Sequence, residues 1–518
     1  VITIKEGGTL GFKCHHDGCK GYNWRALRAK FEPTRKANCA KMGAMAEMLE
    51  DEALIAEYGQ PIMRNSKGEP TDINQMFTAA KFARDNFILY ESGLNLFYFY
   101  DPDTGLWKTK TESKLVIEIG MTLRNILNDY GADVVLKKRT ENLVKQILGF
   151  LKGVTEKTDA FKRTIPIIHV ANGVLHLGED LHTLHTFAPE YYSRNRSETC
   201  FDPKAECPRF LNELLRPALS EEDILLLQLY AGQCLMGRNP SQKILLLRGT
   251  PGGGKSTLVA IIEIIVGIYN VAQLRVRLLD ERFEIAGFVG KTLLCGKDVP
   301  GDFLNHKAAY NLKALVGGDH LNAEQKNVKH RFDVVGDFNV IITSNSRLHV
   351  KLDSDSGAWR RRLLIIDYEQ PPTAKPIPYF ARELVETEGP GILNWCIQGA
   401  VRLLRELKEH GAMQLSEAQI KRVDALLCES DSVRYFVSEC VEKSEEADVT
   451  VSELATAYNN FCDEQGWQAV TVRQFENQLG DMMMEVHRLA KRTDIKRHDK
   501  NQRGFVHATL KKGILQIS

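Results

Sequence analysis

The sequence predicts an α/β fold built on a parallel sheet, and three observations carry this prediction. Residues 243–248 form a short apolar run that is typical of a buried strand, and residues 256–263 have the character of a helix. Further strand-like segments follow at 290–298 and 339–345. Because strands and helices alternate over 243–368, this region should form a parallel sheet with helices on its faces.

The turn between the first strand and its helix is a glycine-rich phosphate loop of the pattern GxxxxGK[ST]. Its glycines allow successive backbone N–H groups to face a phosphate, and the helix N-terminus adds positive potential. Lys255 is expected to reach the β- and γ-phosphates, and Ser256 to hold Mg²⁺. A chance glycine turn is the competing interpretation, and the strand–loop–helix context argues against it. The expected nucleotide-binding residues are Gly249, Thr250, Pro251, Gly252, Gly253, Gly254, Lys255, Ser256 and Thr257.

Polar residues at the ends of later strands predict the rest of an ATPase site. Asp298 ends one strand, where a carboxylate can orient Mg²⁺ and the attacking water. Asn345 ends another, where an amide can bond to the γ-phosphate or the water. Three arginines, Arg360, Arg361 and Arg362, precede a further strand and can reach the ATP of a neighbouring subunit. Each feature alone is more often a solvated surface, but in this order and spacing they support one another.

The segment before the phosphate loop predicts a mixed domain. Residues 95–107 read as two strands around an Asp/Gly turn, and helical periodicity follows at 113–128 and 140–152. Residues 167–177 read as a hairpin with an Asn-Gly turn. Their aromatic residues could stack on bases, but packing in a core is the simpler use.

The bulk composition excludes few functions. The chain has 518 residues, of which 43% are hydrophobic and 26% charged, as expected for roughly three or four globular domains. A net charge of +1 leaves nucleic acid open as a partner. No apolar run approaches the roughly 20 residues of a membrane span, so we expect no membrane association. The 11 scattered cysteines favour reduced thiols in a cytoplasmic protein.

Two cysteines near the start, Cys14 and Cys19, resemble the second half of a zinc knuckle, with His15 or His16 as a helper. A structural zinc site needs four ligands, so the missing pair would lie upstream, and the chain is expected to be a fragment of a longer protein. Without that half, zinc binding should be weak. Two ordinary thiols near a disordered end remain the alternative.

The end of the chain is strongly basic. Residues 486–512 contain nine lysines and arginines against two acids. Two helix-like segments precede them at 451–458 and 471–479, and 504–510 reads as a strand. This order suggests a winged helix whose basic wing lies along DNA phosphates, whereas a solvated tail or a protein-docking domain is the alternative. The expected DNA contacts are Arg488, Lys491, Arg492, Lys496 and Arg497.

With these motifs in order, residues 243–366 resemble a superfamily 3 helicase, the AAA+ class of viral, phage and plasmid replication motors. The Gly-Gly-Asp segment at 317–319 is similar to that of phage and plasmid members. Upstream, 171–177 and 201–208 look like the domain that precedes the helicase in phage, plasmid and poxvirus primase-helicases. The resemblance is strong from about 165 to 370, and weaker before 90 and after 400.

The resemblance implies an ATP- and Mg²⁺-dependent DNA helicase. Such proteins act as rings, here expected to be hexameric, on single-stranded or forked DNA, with a primase, a polymerase or other replication proteins as partners. Residues 328–331 are similar to the channel hairpin of the papillomavirus helicase, which implies DNA contact by Lys329 and His330, with Lys326 as a helper. A solvated basic turn is the alternative. The expected location is the cytoplasm of a bacterial host or a viral replication site.

The resemblance also divides the chain. The expected parts are the remnant of a zinc-binding or primase region at 1–30, a linker at 31–75, a mixed α/β or helical accessory domain at 76–210, an AAA+ ATPase domain at 211–410 and a winged-helix domain at 430–518.

One departure from the family leaves the catalytic base open. Many relatives carry two adjacent acids where this chain has Lys297 before Asp298. Either Asp298 serves both metal and water, or Asp302 or Glu281 supplies the second carboxylate. Zn²⁺ in the full-length protein, and a primase activity outside this chain, stay open as well.

Three other functions compete with the helicase. An origin-binding initiator that melts DNA without processive unwinding shares every motif. A small-molecule phosphotransferase would be a monomer that ignores DNA, and the arginine cluster argues against it. A non-catalytic assembly platform would tolerate Lys255→Ala.

Overall fold

The fold was analysed in a computed structural model. It describes residues 2–4, 10–12, 51–132, 135, 137, 140–162, 166–178, 182–300, 309–324, 331–345, 356–368 and 377–511. Within these ranges, no helix is both long and apolar enough to cross a membrane. The chain divides into two compact units, one of Val1–Asp101 with Trp107–Ala160 and the other of Pro102–Leu106 with Phe161–Ser518.

The first unit is a mixed α/β body. Its strands are β1 (Ile2–Ile4), β2 (Leu10–Phe12), β3 (Ile62–Arg64), β4 (Pro70–Ile73), β5 (Ile88–Glu91), β6 (Leu96–Asp101) and β7 (Leu106–Lys110). Its helices are α1 (Gln75–Asn86), α2 (Glu112–Asp129) and α3 (Glu141–Thr155). Both helices predicted after residue 112 and the two predicted strands around the Asp/Gly turn are confirmed.

The hairpin β3–β4 falls inside the range predicted as a linker. Ile62 pairs with Ile73 in register, and both are buried in the core together with Phe82. The hairpin is therefore part of the folded unit. Its strands are only three and four residues long, which is too short for an alternating pattern to stand out in the sequence.

The second unit begins with an antiparallel sheet and a group of helices. Strands β8 (Ile167–Val170) and β9 (Gly173–Leu177) form the predicted Asn-Gly hairpin, and β10 (His182–His185) pairs with β9. A π-helical segment, Phe210–Leu215, and helix α4 (Glu221–Met236) lead into the central sheet.

The central sheet has five parallel strands. They are β11 (Ile244–Gly249), β12 (Val271–Gln273), β13 (Leu293–Gly296), β16 (Asn339–Ser344) and β17 (Leu363–Tyr368), in the order β12-β13-β16-β11-β17. All four adjacent pairs are parallel. The α/β fold class predicted from the sequence is therefore confirmed, while its AAA+ and winged-helix assignments stay predictions.

Both faces of this sheet are covered, which explains why its strands are uniformly apolar. One face packs on α4, α5 (Lys255–Val266) and α8 (Phe380–His410). The other packs on α6 (Ala309–Gly317), α7 (Ser356–Arg360) and α9 (Glu417–Ser430). A separate antiparallel hairpin consists of β14 (His320–Glu324) and β15 (Arg331–Val335).

The chain ends in a helical body with a three-stranded antiparallel sheet. Its helices are α10 (Ser432–Cys440), α11 (Val451–Glu464) and α12 (Val472–His487), and its strands are β18 (Val441–Thr450), β19 (Arg492–Arg497) and β20 (Lys500–Leu510), in the order β18-β20-β19. Phe436, Tyr458, Phe475 and Phe505 fill its own core. The two predicted helices and the terminal strand are thus present.

Candidate functional site

The phosphate loop joins β11 to α5 at the carboxyl edge of the sheet. Gly249, Gly252 and Gly254 have backbone φ values of 138°, 80° and 98°, which residues other than glycine rarely adopt. A Cβ on Gly249 would lie 2.0 Å from the backbone oxygen of Tyr368, so only glycine fits there. No side chain caps the start of α5, which leaves its first N–H groups available to an anion.

Lys255 is the first residue of α5 and is folded back onto the loop. Its side-chain Nζ donates to the backbone oxygens of Gly249 (2.8 Å) and Thr250 (2.7 Å). Lys255 is only 4% exposed. Burial lowers the pKa of Lys255, while the carboxylate of Asp298 acts in the opposite direction. The ammonium group therefore lies against the loop, close to where the oxygens of a bound phosphate would be expected.

The other predicted loop residues surround this lysine. Thr250, Pro251, Gly252 and Ser256 are exposed, whereas Gly253 is buried and Thr257 half-buried. The Ser256 hydroxyl thus faces solvent in the first turn of the helix, where a ligand could reach it.

Asp298 and Asn345 are brought together at the same edge. They follow the adjacent strands β13 and β16, and the Asn345 side-chain Nδ2 donates to Asp298 Oδ1 at 3.2 Å. Asp298 adopts a left-handed backbone conformation with φ of 50°, and its N–H donates to the side-chain oxygen of Thr343. This bend turns the carboxylate off the strand direction and toward the amide.

A cleft of about 460 Å³ opens beside this pair. Its lining includes Arg277, which lies just after β12 and was not predicted from the sequence. Arg277 lies in a short 3-10 turn, Val276–Leu278, between apolar residues, and no pattern in the sequence marks it as part of this site. The cleft therefore combines a carboxylate, an amide and a guanidinium.

Among the described residues, no hydrogen bond brings a second acidic side chain to Asp298. Lys297 turns away and forms an ion pair with Glu263 of α5. Glu281 is exposed and makes no side-chain hydrogen bond or ion pair within the described ranges. Asp302 lies outside the described residues.

The three arginines have different surroundings. Arg362 is 5% exposed and donates to the backbone oxygen of Ala358. Arg360 forms an ion pair with Asp424 of α9. Arg361 is exposed and makes no side-chain hydrogen bond or ion pair with any described residue. Arg360 is exposed as well, so Arg361 differs from it in having no ion-pair partner among the described residues.

All three precede β17 and therefore lie at the amino edge of the sheet, opposite the phosphate loop. The Arg362 backbone oxygen accepts from the N–H of Ile244, at the start of β11. Six residues of strand separate this edge from Gly249, a distance of about 20 Å. The arginines consequently cannot reach the phosphate loop of their own chain without unfolding the edge.

The predicted DNA-binding residues of the C-terminal body divide into paired and exposed groups. Arg497 forms ion pairs with Glu453 and Asp448, and Arg492 with Asp494. The side chain of Lys491 lies 3.5 Å from a backbone oxygen of α12. Lys496 and Arg488 are exposed. Two further exposed cations, Lys500 and Arg503 of β20, were not in the predicted set although both belong to the basic segment.

Several predicted residues fall outside the described residues. These are Cys14 and Cys19 of the zinc prediction, and Lys326, Lys329 and His330 of the hairpin prediction. In the parts of the chain that the structure describes, no three His, Cys, Asp or Glu side chains are grouped so as to hold a metal. A magnesium site of the kind predicted would use Ser256, Asp298 and nucleotide oxygens, and so needs no such group.

Three family models match the chain. A D5 N terminal like family matches residues 75–216, a family of unknown function (DUF5906) matches 247–362, and a poxvirus D5 protein-like family matches 428–511. No curated protein matches significantly.

The structure is also similar to the apo C-terminal region of NrS-1. One structure aligns with a TM-score of 0.44 and 12% identity over 84% of this chain and 99% of that one. Two others give a TM-score of 0.45 and 12% identity over 84% of this chain, with 99% and 100% of those chains covered.

The fold and the matches define the class of this protein, a replication protein with D5-like segments on both sides of a phosphate-loop α/β sheet. More particularly, the two D5-like matches support a primase-helicase of the phage and viral family, which is the resemblance found in the sequence.

Proposed function

We propose that this protein is an ATP-dependent DNA helicase of a viral or mobile-element replication system, which works as a ring with ATP bound between subunits. The family suggests nucleoside triphosphatase and helicase activity, and the proposal assigns these activities to residues of this chain. Its AAA+ class is supported by the strand order, in which the Asn345 strand lies between the phosphate-loop strand and the Asp298 strand.

One observation carries the proposal. The phosphate loop and the Asp298–Asn345 pair occupy the carboxyl edge of the sheet, while Arg361 is exposed at the amino edge. A cation that assists phosphoryl transfer must touch the transferring phosphate. Arg361 could therefore assist phosphoryl transfer only at the carboxyl edge of a second copy, and such a head-to-tail contact generates a ring when its rotation closes.

The residues at the carboxyl edge fit a magnesium–nucleotide complex. Hard oxygen ligands suit Mg²⁺, and Ser256 and Asp298 would provide one hydroxyl and one carboxylate. The metal would neutralise charge on the phosphates. Asp298 would orient the attacking water, and Asn345 would hold Asp298 and contact the γ-phosphate. Lys255 would give up its hydrogen bonds to the loop oxygens and bind phosphate instead. ATP, Mg²⁺ and these roles are proposals.

The C-terminal body is proposed to contact DNA as a winged helix. Its three helices and the β19–β20 hairpin have the arrangement expected of one, and Lys496, Lys500 and Arg503 are exposed on that hairpin. Contacts to phosphates from these side chains would carry no sequence information.

The proposal is tested by the ATPase rate with and without single-stranded DNA, with the mass in solution recorded alongside. We expect DNA-stimulated hydrolysis by a ring-sized particle, and loss of about 10³-fold or more in Arg361→Ala. Mixing Arg361→Ala with Lys255→Ala subunits should restore part of the rate, because each mixed interface can pair an intact loop with an intact arginine. A monomer whose hydrolysis ignores DNA would exclude the helicase and favour a phosphotransferase.

A second candidate is an initiator that recognises an origin. The exposed side of α12 carries Arg473, Asn477 and Gln478, which have no side-chain partner among the described residues. Arginine and amide side chains can read base edges. Binding of the full chain to one duplex sequence with more than 10³-fold preference, without unwinding of a forked substrate, would favour this function.

A further inference from the structure

The side chain of Tyr368 is buried beside the phosphate loop and its hydroxyl has no partner. Tyr368 ends β17 and is 0% exposed. Its hydroxyl oxygen is buried and forms no hydrogen bond with any described residue. Burial raises the pKa of this phenol well above its usual range, so the hydroxyl stays protonated and can donate. An unpaired buried hydroxyl destabilises the folded state and therefore calls for an explanation.

Tyr368 touches both ends of the phosphate loop. Its backbone oxygen lies 2.0 Å from the position of a Cβ on Gly249, and its ring edge lies 4.0 Å from the position of a Cβ on Gly254. Any ligand seated on the loop and the start of α5 is therefore next to this ring.

The surroundings of the ring are apolar. The side chain of Leu214 comes within 3.3 Å of the same position on Gly254, and Phe210 and Leu215 belong to the same core cluster. They lie on the π-helical segment Phe210–Leu215, a rare conformation that is frequent at functional sites. The carboxylate of Glu388 accepts from the N–H groups of Arg209 and Phe210, which anchors the start of this segment to α8.

Apolar side chains around one unpaired hydroxyl, next to a phosphate site, offer the kinds of contact that a nucleoside can make. A base or a ribose offers an apolar surface together with a few hydrogen-bonding atoms, and such sites use few, well-placed polar groups. We propose that the Tyr368 hydroxyl binds the nucleoside part of the triphosphate, and that its hydrogen bond is completed only when nucleotide is present. This inference rests on the proposed nucleotide site.

The test is Tyr368→Phe in the full chain, which removes only the hydroxyl. The nucleotide-free variant should be more stable than the wild type, with a Tm higher by about 2 °C or more, because an unpaired buried group is lost. The same variant should bind ATP about 3- to 10-fold more weakly, which is the usual range for one hydrogen bond. These opposite signs separate a ligand-binding hydroxyl from a purely structural one.

A matched control is Tyr230→Phe. Tyr230 is also 0% exposed, but its hydroxyl accepts from the Val340 N–H and donates to backbone oxygens at the start of the sheet. Its loss should lower the Tm and leave the Kd for ATP unchanged.

Inorganic triphosphate and dATP show which part of the ligand is bound. The Kd for triphosphate should be equal in wild type and Tyr368→Phe, because that probe has no nucleoside. If the hydroxyl binds the base, dATP loses affinity in the variant as ATP does. If it binds the ribose 2′-hydroxyl, dATP is insensitive to the change.

Two results would overturn the inference. Equal ATP affinity in both proteins would leave the hydroxyl without a ligand role. An equal loss for ATP and triphosphate would mean that Tyr368 only supports the loop. If wild type bound neither probe, the nucleotide site itself, and not this assignment, would have failed.

Discussion

The Asn345 side chain donates a hydrogen bond to the Asp298 carboxylate across two adjacent parallel strands, 47 residues apart in the chain. The contact joins the two polar groups that end β13 and β16, at the edge where the phosphate loop begins. Its geometry depends on the left-handed backbone of Asp298, which the Thr343 side chain holds through the Asp298 N–H. The pair is therefore built by the sheet and not by the glycine-rich loop.

Asp298→Asn should abolish hydrolysis while preserving nucleotide binding. The neutral amide lacks the negative charge of a metal-binding carboxylate and cannot accept a proton, and losses of about 10²–10⁴-fold are usual for such groups. The measurement is the rate at saturating ATP together with the Kd for ATP. Glu281→Gln tests the alternative acid, since Glu281 has no described contact to this pair. A comparable loss in Glu281→Gln would contradict the assignment to Asp298.

Arg362→Met should lower the stability of the protein, whereas Arg361→Ala should abolish hydrolysis. Arg362 is buried and donates to the Ala358 oxygen, so its removal should lower stability by about 1–3 kcal/mol. Arg361 is exposed, so its removal should leave the Tm unchanged and abolish hydrolysis. Thermal unfolding and the ATPase rate of each variant decide this. A normal Tm with complete loss of hydrolysis in Arg362→Met would instead make Arg362 the arginine that acts on the neighbouring subunit's ATP.

The local parts of this site could be predicted from the sequence, whereas its long-range pairs could not. The strand, loop and helix around Lys255 follow from a contiguous pattern, and the order of Asp298 and Asn345 at strand ends follows from the same reasoning. The ion pair of Arg360 with Asp424 joins residues 64 positions apart, and no local pattern signals it. For the same reason, the sequence alone did not separate Arg361 from Arg360, which is ion-paired, and Arg362, which is buried.

Lys243 should make stability depend on pH. Lys243 directly precedes β11 and is buried. Burial lowers its pKa from 10.5 to about 8. Between these pH values the lysine is protonated in the unfolded chain but mostly neutral in the folded protein. The stability of the wild type should therefore rise as the pH rises from about 8 to about 10.5.

Lys243→Met removes this dependence. The variant should be more stable than the wild type by up to about 3 kcal/mol below pH 8, and the difference should vanish above about pH 10.5. Denaturant unfolding of both proteins across this window measures it. Lys421→Met, at an exposed lysine of α9, is the control and should give a flat difference.

Lys496 and Arg497 are neighbours on the wing, yet their replacement should have different effects on DNA binding. Lys496 is exposed, so Lys496→Ala should reduce the slope of log affinity against log salt by about 0.9, the value for one lost phosphate contact. Arg497 is held by Glu453 and Asp448, and Glu453 also caps the start of α11. Arg497→Ala should therefore lower the thermal stability of the C-terminal body and change the salt slope little. Titrations of single-stranded and duplex DNA at several salt concentrations measure both variants. If Arg497→Ala reduced the slope as much as Lys496→Ala at unchanged stability, the ion pairs of Arg497 would have to open on DNA, and the wing would present more positive charge than its exposed side chains indicate.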